Sequence, residues 1–164
     1  MRPKYKVSAS PPLRPSTSQS AIRCSPTPTL WSSWVIRSQR YGILFSGDTD
    51  YFSGLKEIGE RFGPFDLTLL ETGAYDLQWE GVHMLPEQVI QAHKELRGEW
   101  LLPTHNGTFD LGFHPWDEPF ERLTMIAQKE NVRLVIPKMG ELAQIGKLRP
   151  QAAWWREPRL GEMH

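Results

Sequence analysis

The sequence predicts an α/β fold, in which short buried strands alternate with amphipathic helices. The chain has 164 residues, 39% of them hydrophobic and 23% charged, which suffices for one domain of ordinary size. Strand-like apolar runs alternate along its body with segments whose apolar positions recur at helical spacing. Such alternation is typical of a sheet covered by helices.

The apolar runs predict five strands, at residues 34–37, 41–45, 66–70, 100–103 and 133–136. A short polar turn around Ser38 and Gln39 joins the first two runs, which predicts a hairpin. The third run is closed by Gly73 and indicates a buried strand.

Three amphipathic segments predict helices at residues 54–62, from Pro86 to just before Gly98, and at residues 116–130. Gly63 and Pro64 end the first helix, and proline is a favourable first residue for the second. The positions that share the inward faces of these helices are Leu55, Ile58, Phe62, Val89, Ala92, His93, Leu96, Phe120, Leu123 and Ala127.

Residues 1–30 differ in composition from the body, which is predicted as a unit of residues 31–164. They hold six of the fourteen prolines and nine serines or threonines. Such a segment buries too little apolar surface to offset its ordering entropy, so a disordered leader is expected. A targeting segment is the alternative, because the stretch is basic and free of acids, although its prolines disfavour a transit helix.

Charge and cysteine content exclude several classes of protein. No acidic residue precedes Asp48, and from there twelve basic side chains face nineteen acidic ones, a net charge of −7 that disfavours nucleic-acid binding. The single cysteine, Cys24, excludes a disulfide framework and a thiolate zinc cluster. No apolar run approaches the ~20 residues of a membrane span. The absence of a secretory signal and the lone cysteine lead us to expect a cytoplasmic protein.

Two predicted strands end in a polar residue beside glycine: Gly47-Asp48-Thr49 and His105-Asn106-Gly107. Loops at strand ends present polar groups over a rigid sheet, so Asp48 and His105 are candidate metal ligands or acid–base groups. The alternatives are that Asp48 serves a turn and that His105 is an ordinary hydrogen-bonded residue.

Other polar residues have two interpretations each. Glu71 follows an apolar strand, and it either reaches a cleft at the strand end or caps the strand in solvent. His83 lies in a loop, where most histidines are solvated. His93 lies on an apolar helix face and is expected to be a core or edge residue. Tyr75 either lines a pocket or packs. The chain has no His-x-x-x-His helix, phosphate-binding glycine loop, serine elbow or Cys/His pair.

Six separated motifs occur in a recognisable order between about residue 31 and about residue 140. They are Trp31-Ser-Ser-Trp-Val-Ile, Phe45-Ser-Gly-Asp-Thr, Glu57-Ile-Gly-Glu-Arg-Phe-Gly-Pro-Phe-Asp-Leu, Gly73-Ala-Tyr, His83-Met-Leu-Pro-Glu-Gln and His105-Asn-Gly-Thr-Phe. The series resembles the C-terminal half of the metallo-β-lactamase superfamily. More narrowly, it is similar to the branch of N-acyl-phosphatidylethanolamine-hydrolysing phospholipase D and its bacterial relatives.

The resemblance implies half of a four-layer αββα sandwich with a two-metal site on one edge. It implies that Asp48 bridges the metals as a ligand and catalytic residue, that His105 binds the second metal, and that His83 acts catalytically beside the substrate. The implied metal is zinc, two ions per intact site, with manganese or iron as alternatives. The implied reaction is hydrolysis of a phosphodiester, ester or lactone in a small-molecule or lipid substrate, with contact to a membrane surface as a further expectation.

The sequence departs from the pattern it resembles. The first-half signature His-x-His-x-Asp-His and a later histidine are absent, Asp50 stands where relatives have glycine, and Glu71 replaces an uncharged residue. Two ligands do not hold a catalytic zinc. One expectation is therefore a hydrolase that is impaired because its sequence is truncated or frame-shifted. The alternative is a non-catalytic fragment or subunit that pairs with a separate metal-binding half through its exposed half-sandwich face.

Overall fold

The computed structural model describes residues 5–7, 32–109 and 112–157, which form one six-stranded mixed sheet. The strands, which lie in the sheet in chain order, are β1 (Tyr5–Val7), β2 (Ser33–Arg37), β3 (Gly42–Phe45), β4 (Phe65–Glu71), β5 (Gly98–Thr104) and β6 (Arg133–Leu134). The first three pair antiparallel, and β3 to β6 pair parallel. The α/β prediction is confirmed, including the hairpin.

Three helices connect the parallel strands: α1 (Gly54–Phe62), α2 (Pro86–Glu95) and α3 (Glu118–Lys129). All three predicted helices are present, with ends that differ by at most two residues. Strand β6 is shorter than its predicted four residues, although the Val135 amide still donates to the Leu101 carbonyl at 2.9 Å.

The core lies between the sheet and these helices. Val35, Leu44, Thr68, Leu101 and Leu134 are successive cross-strand partners and form one row across the sheet. The apolar members of this row pack into one cluster with inward-facing helix residues. Those helix residues are Leu55, Ile58, Val89, Ala92, Leu96, Leu123 and Ala127, which confirms the predicted inward faces.

The sheet face away from the helices is also apolar. Alternation along the strands places two cross-strand rows there: Trp34, Phe45, Leu69 and Leu102, and Ile36, Ile43, Leu67 and Trp100. We call these eight residues the outer face. Three of them, Trp34, Ile36 and Phe45, keep more than a third of their surface exposed. An exposed apolar face was expected, and association through it stays a prediction.

The predicted leader contributes strand β1, and its other residues lie outside the described part of the chain. At the opposite end, Trp154 and Trp155 pack on Phe120 beside Ile136 and form a second apolar cluster. Among the described residues, no helix has both the length and the apolarity needed to cross a bilayer.

His93 is a core residue, as its position on an apolar helix face predicted. Only 3% of its surface is exposed, and its Nδ1 lies 2.8 Å from the Thr68 hydroxyl. Burial, with a smaller contribution from Lys94, lowers the pKa of His93 to about 4. The folded chain therefore keeps this imidazole neutral at pH values where the unfolded chain protonates it.

We expect His93 to make folding stability depend on acidity. Its contribution is complete above the unfolded pKa of about 6.5 and is lost as the pH falls to about 4, by roughly 3 kcal/mol. Urea unfolding of the wild type and of His93→Gln at several pH values measures this difference. The substitution His114→Gln leaves His93 in place and serves as the control. Equal acid dependence in the wild type and His93→Gln would contradict the prediction.

Candidate metal centre

The carboxyl-terminal ends of β3, β4 and β5 meet at one edge of the sheet because these strands run parallel. Asp48 lies in the loop after β3, Glu71 is the last residue of β4, and His105 directly follows β5. His83 reaches the same place from the loop before α2. Residues far apart in the chain thus converge at the position where α/β sheets hold ligands.

Asp48, His83 and His105 form a compact group of possible donors. The Asp48 Oδ1 lies 3.3 Å from the His83 Nδ1 and 3.6 Å from the His105 Nε2. The two imidazole rings stack with centroids 5.4 Å apart. One ligand atom from each residue lies within 4.8 Å of the others, so the group could hold a metal ion. The structure brings together all three residues that the sequence singled out, and their roles stay predictions.

Glu71 reaches this group and does not cap its strand in solvent. It is fully buried, with its Oε1 3.2 Å from the His83 Nδ1 and 4.0 Å from the His105 Nδ1. Its Oε2 accepts the Met84 amide at 2.9 Å. Burial raises the pKa of Glu71 to about 7, and the Asp48 charge adds to this effect. Hydrogen bonds from the backbone amides of Met84, Ala74 and Gly73 oppose the rise.

His83 is more enclosed than its loop position suggested, with only 14% of its side chain exposed. Burial is the main cause that lowers its pKa, and His105 contributes in the same direction. Asp48 and Asp50 oppose the shift, because they stabilise the imidazolium. A lowered pKa favours the neutral imidazole, which is the form that binds metal ions.

The chemistry of these residues fits a cation. Asp50 Oδ1, Glu71 Oε1 and His83 Nδ1 are buried polar atoms without a hydrogen-bond partner in the described residues. Buried polar atoms are rarely left unpaired, so such a cluster requires a reason. Imidazole and carboxylate donors suit zinc, manganese or iron, and three protein donors are the usual number at a catalytic zinc. His83 would be the third donor of such a group, although the resemblance placed it beside the substrate.

Close approach of backbones holds the loops of this site together. A Cβ on Gly73 would overlap the His105 carbonyl oxygen, so only glycine allows the β4 and β5 loops to meet this way. His105 itself has a φ of 60°, a left-handed conformation that non-glycine residues seldom adopt. Backbone strain of this kind persists only where neighbouring contacts enforce it.

Ser46 ties the Asp48 loop to its neighbours. Its hydroxyl accepts the Glu71 amide at 3.0 Å, and its own amide donates to the Leu69 carbonyl at 2.9 Å. The Ser33 hydroxyl donates to the Ser46 carbonyl at 2.8 Å. Hydrogen bonds from two neighbouring strands, β2 and β4, therefore fix the residue two positions before Asp48.

A cavity of about 1120 Å³ adjoins the site and is lined in part by His105 and Gly73. Its remaining lining is largely apolar and includes Phe120 and Trp154. This cavity was not predicted, because the C-terminal tryptophans carry no recognisable periodicity. Tyr75 does not line it. That residue is 4% exposed, donates to Glu118 at 3.2 Å and stacks on His114, so the packing interpretation is confirmed.

We expect Gly73→Ala to disrupt the site by displacing the backbone at His105. Its Cβ overlaps the His105 carbonyl, so the substitution should cost more than ~2 kcal/mol of unfolding free energy and displace the His105 ring. Gly140→Ala is the matched control, because its Cβ meets open space and only the left-handed backbone, about 1–2 kcal/mol, opposes it. Urea unfolding and zinc calorimetry measure both effects. Equal losses in the two variants, with unchanged zinc affinity, would contradict the steric argument.

Comparison with known proteins places these features in a family. The family described as "Beta-lactamase superfamily domain" matches residues 7–106. An uncharacterized protein of Mycobacterium tuberculosis is 42% identical over 132 residues, which are 78% of this chain and 35% of that protein. N-acyl-phosphatidylethanolamine-hydrolyzing phospholipase D 1 of Caenorhabditis elegans is 31% identical over 121 residues, which are 69% of this chain and 34% of that protein.

A solved structure agrees with these sequence matches. A metallo hydrolase from the archaeon Ignicoccus hospitalis superposes with a TM-score of 0.53 at 25% identity, over 67% of this chain and 43% of that chain. The present chain spans about a third of the length of the two relatives described above. The resemblance drawn from the six motifs is confirmed. Because the family match covers more than half of its residues, the chain belongs to the metallo-β-lactamase superfamily.

Proposed function

We propose that this chain carries a metal centre of a hydrolase that acts on a phosphodiester, ester or lactone. The observation that carries the proposal is the convergence of Asp48, His83 and His105 above the buried carboxylate of Glu71. The relative named as a phospholipase D and the solved structure named as a metallo hydrolase support the reaction class.

Asp48, His83 and His105 would hold the ion. When bound, a divalent ion supplies a Lewis acid and lowers the pKa of a coordinated water. The exposure of these residues increases from the base of the site to its mouth. Glu71 lies buried at the base, and Asp48, whose side chain is 60% exposed, lies at the mouth. The arrangement leaves the solvent side of the group open for a substrate oxygen. Zinc is the metal we expect first, and a second ion would require donors beyond these three.

The substrate that fits this setting has a polar reacting group and an apolar portion. The reacting group would lie at His105, which also borders the cavity of about 1120 Å³. The aromatic lining of that cavity suits an acyl or aryl group. A small-molecule or lipid ester or phosphodiester meets both requirements.

A second candidate function is that of a subunit that needs another chain for activity. The partly exposed outer face supports this candidate, since apolar patches of this kind mark interaction surfaces. The partner would cover Trp34, Ile36 and Phe45 and supply further metal ligands.

Metal binding and hydrolysis by the full chain test both candidates. We expect about one zinc ion per chain in the wild type, as three donors can hold one ion. Asp48→Asn and His105→Gln should each weaken zinc binding at least tenfold, roughly the loss of one charge-assisted contact. Asp117→Asn and His114→Gln make the same chemical changes outside the donor group and should bind zinc like the wild type.

The outcomes separate the candidates. Zinc-dependent cleavage of bis(p-nitrophenyl) phosphate, p-nitrophenyl acetate or a simple lactone, lost in Asp48→Asn, would support the hydrolase. Zinc binding without cleavage of any of them would favour the subunit. About two ions per chain would indicate that the chain holds a binuclear site by itself. No binding of zinc, manganese or iron would contradict the metal centre.

A further inference from the structure

The side chain of Glu71 is held in an orientation that the fold of the chain does not by itself require. Its Oε2 is held by the Met84 amide at 2.9 Å, and the residue is paired with Thr104 in the sheet. Its Oε1 is equally buried but has no hydrogen-bond partner among the described residues. The carboxylate is therefore fixed in orientation, with one oxygen directed at two imidazoles.

The two nitrogens of His105 face different carboxylates. Its Nδ1 lies 4.0 Å from the Glu71 Oε1, and its Nε2 lies 3.6 Å from the Asp48 Oδ1. A neutral imidazole carries a proton on one nitrogen and a lone pair on the other. If Nδ1 is protonated toward Glu71, the lone pair of Nε2 points to the place where the three donors meet.

We propose that Glu71 is the positioning residue of this centre. Its Oε1 accepts the Nδ1–H of His105 and thereby reserves Nε2 for the ion; the inference rests on the proposed function. A ring movement of about 1 Å brings the pair to hydrogen-bond distance. Metal-binding histidines commonly donate their second ring N–H to a carboxylate, which sets the tautomer and the ring direction.

The same oxygen also faces His83. The Glu71 Oε1 lies 3.2 Å from the His83 Nδ1, and a carboxylate oxygen can accept more than one hydrogen bond. Glu71 thus places one carboxylate oxygen beside both imidazoles, at the end of an inner strand of the sheet. Asp48 is 60% exposed and cannot provide the same restraint from the solvent side.

The alternative is a structural role in which Glu71 only anchors the loop at Met84. Glu71→Gln distinguishes the two. The amide oxygen of the new side chain would take the Met84 N–H, which leaves its NH₂ group facing the imidazoles. A donor at that position favours the unprotonated Nδ1 of His105 and so reverses the tautomer, while the anchor to Met84 is kept.

Ring-nitrogen NMR of the metal-free full chain, labelled with ¹⁵N-histidine, measures the tautomer directly. The spectra are recorded at about pH 8, where an ordinary histidine is neutral. The His105→Gln variant identifies the ring-nitrogen signals that belong to His105. We expect His105 of the wild type to be protonated at Nδ1, and Glu71→Gln to shift it toward protonation at Nε2. Glu95→Gln, the same change at a carboxylate on α2, should leave the tautomer unaltered.

Zinc calorimetry on the same proteins provides the second measurement. We expect Glu71→Gln to weaken zinc binding about 10–100-fold while Glu95→Gln does not. A wild-type His105 protonated at Nε2, or a Glu71→Gln variant with unchanged tautomer and unchanged zinc affinity, would overturn the inference. If Glu71→Gln does not fold, the wild-type tautomer decides alone. If the wild type binds no metal but shows the expected tautomer change, the proposed function fails and the positioning by Glu71 stands.

Discussion

Parallel pairing of β3, β4 and β5 is the constraint on which the candidate site depends. It brings the ends of three strands to one edge, so that Asp48, Glu71 and His105 become neighbours although they span more than fifty residues of the chain. The helices cover one face of these strands and bury the row that includes Leu44 and Leu101. The hydrophobic core therefore determines the sheet, and the sheet determines where the polar residues meet.

Burial of a carboxylate at this edge has a cost that the local structure only partly offsets. Removing an ion from water costs several kcal/mol after relaxation, and Glu71 has no exposed surface. Backbone amides stabilise its Oε2, while its Oε1 faces His83 and His105. A cation near the imidazoles would favour the charged carboxylate. The charged form of Glu71 therefore lowers folding stability but would be favoured by a bound cation. Such conflicts are common where polar groups cluster at a site.

Much of the fold follows from local pattern, whereas the site follows from contacts that are distant in sequence. The strands and helices were predictable because apolar periodicity reports burial on one face. Asp48 and His105 were predictable as strand-end residues. The enclosure of His83 was not, because it depends on a loop that folds back over β4. Glu71 left two interpretations open, since no local signal shows whether a strand-end carboxylate is covered. Strand β1 lies in a segment whose composition indicated no regular structure.

The outer face and the candidate site are connected through the same strands. Phe45, Leu69 and Leu102 form the row nearest the site, and each precedes a site residue by two or three positions. Alternation along β4 also puts Glu71 on the same side of the sheet as Leu67 and Leu69. A partner that covered the outer face would therefore lie beside the site and reduce the access of water to Asp48 and His105. Lower water access strengthens electrostatic interactions within a site, so association and metal binding would reinforce each other. A metal centre in this chain and a requirement for a partner chain are consequently compatible, because a partner on the outer face would adjoin the centre.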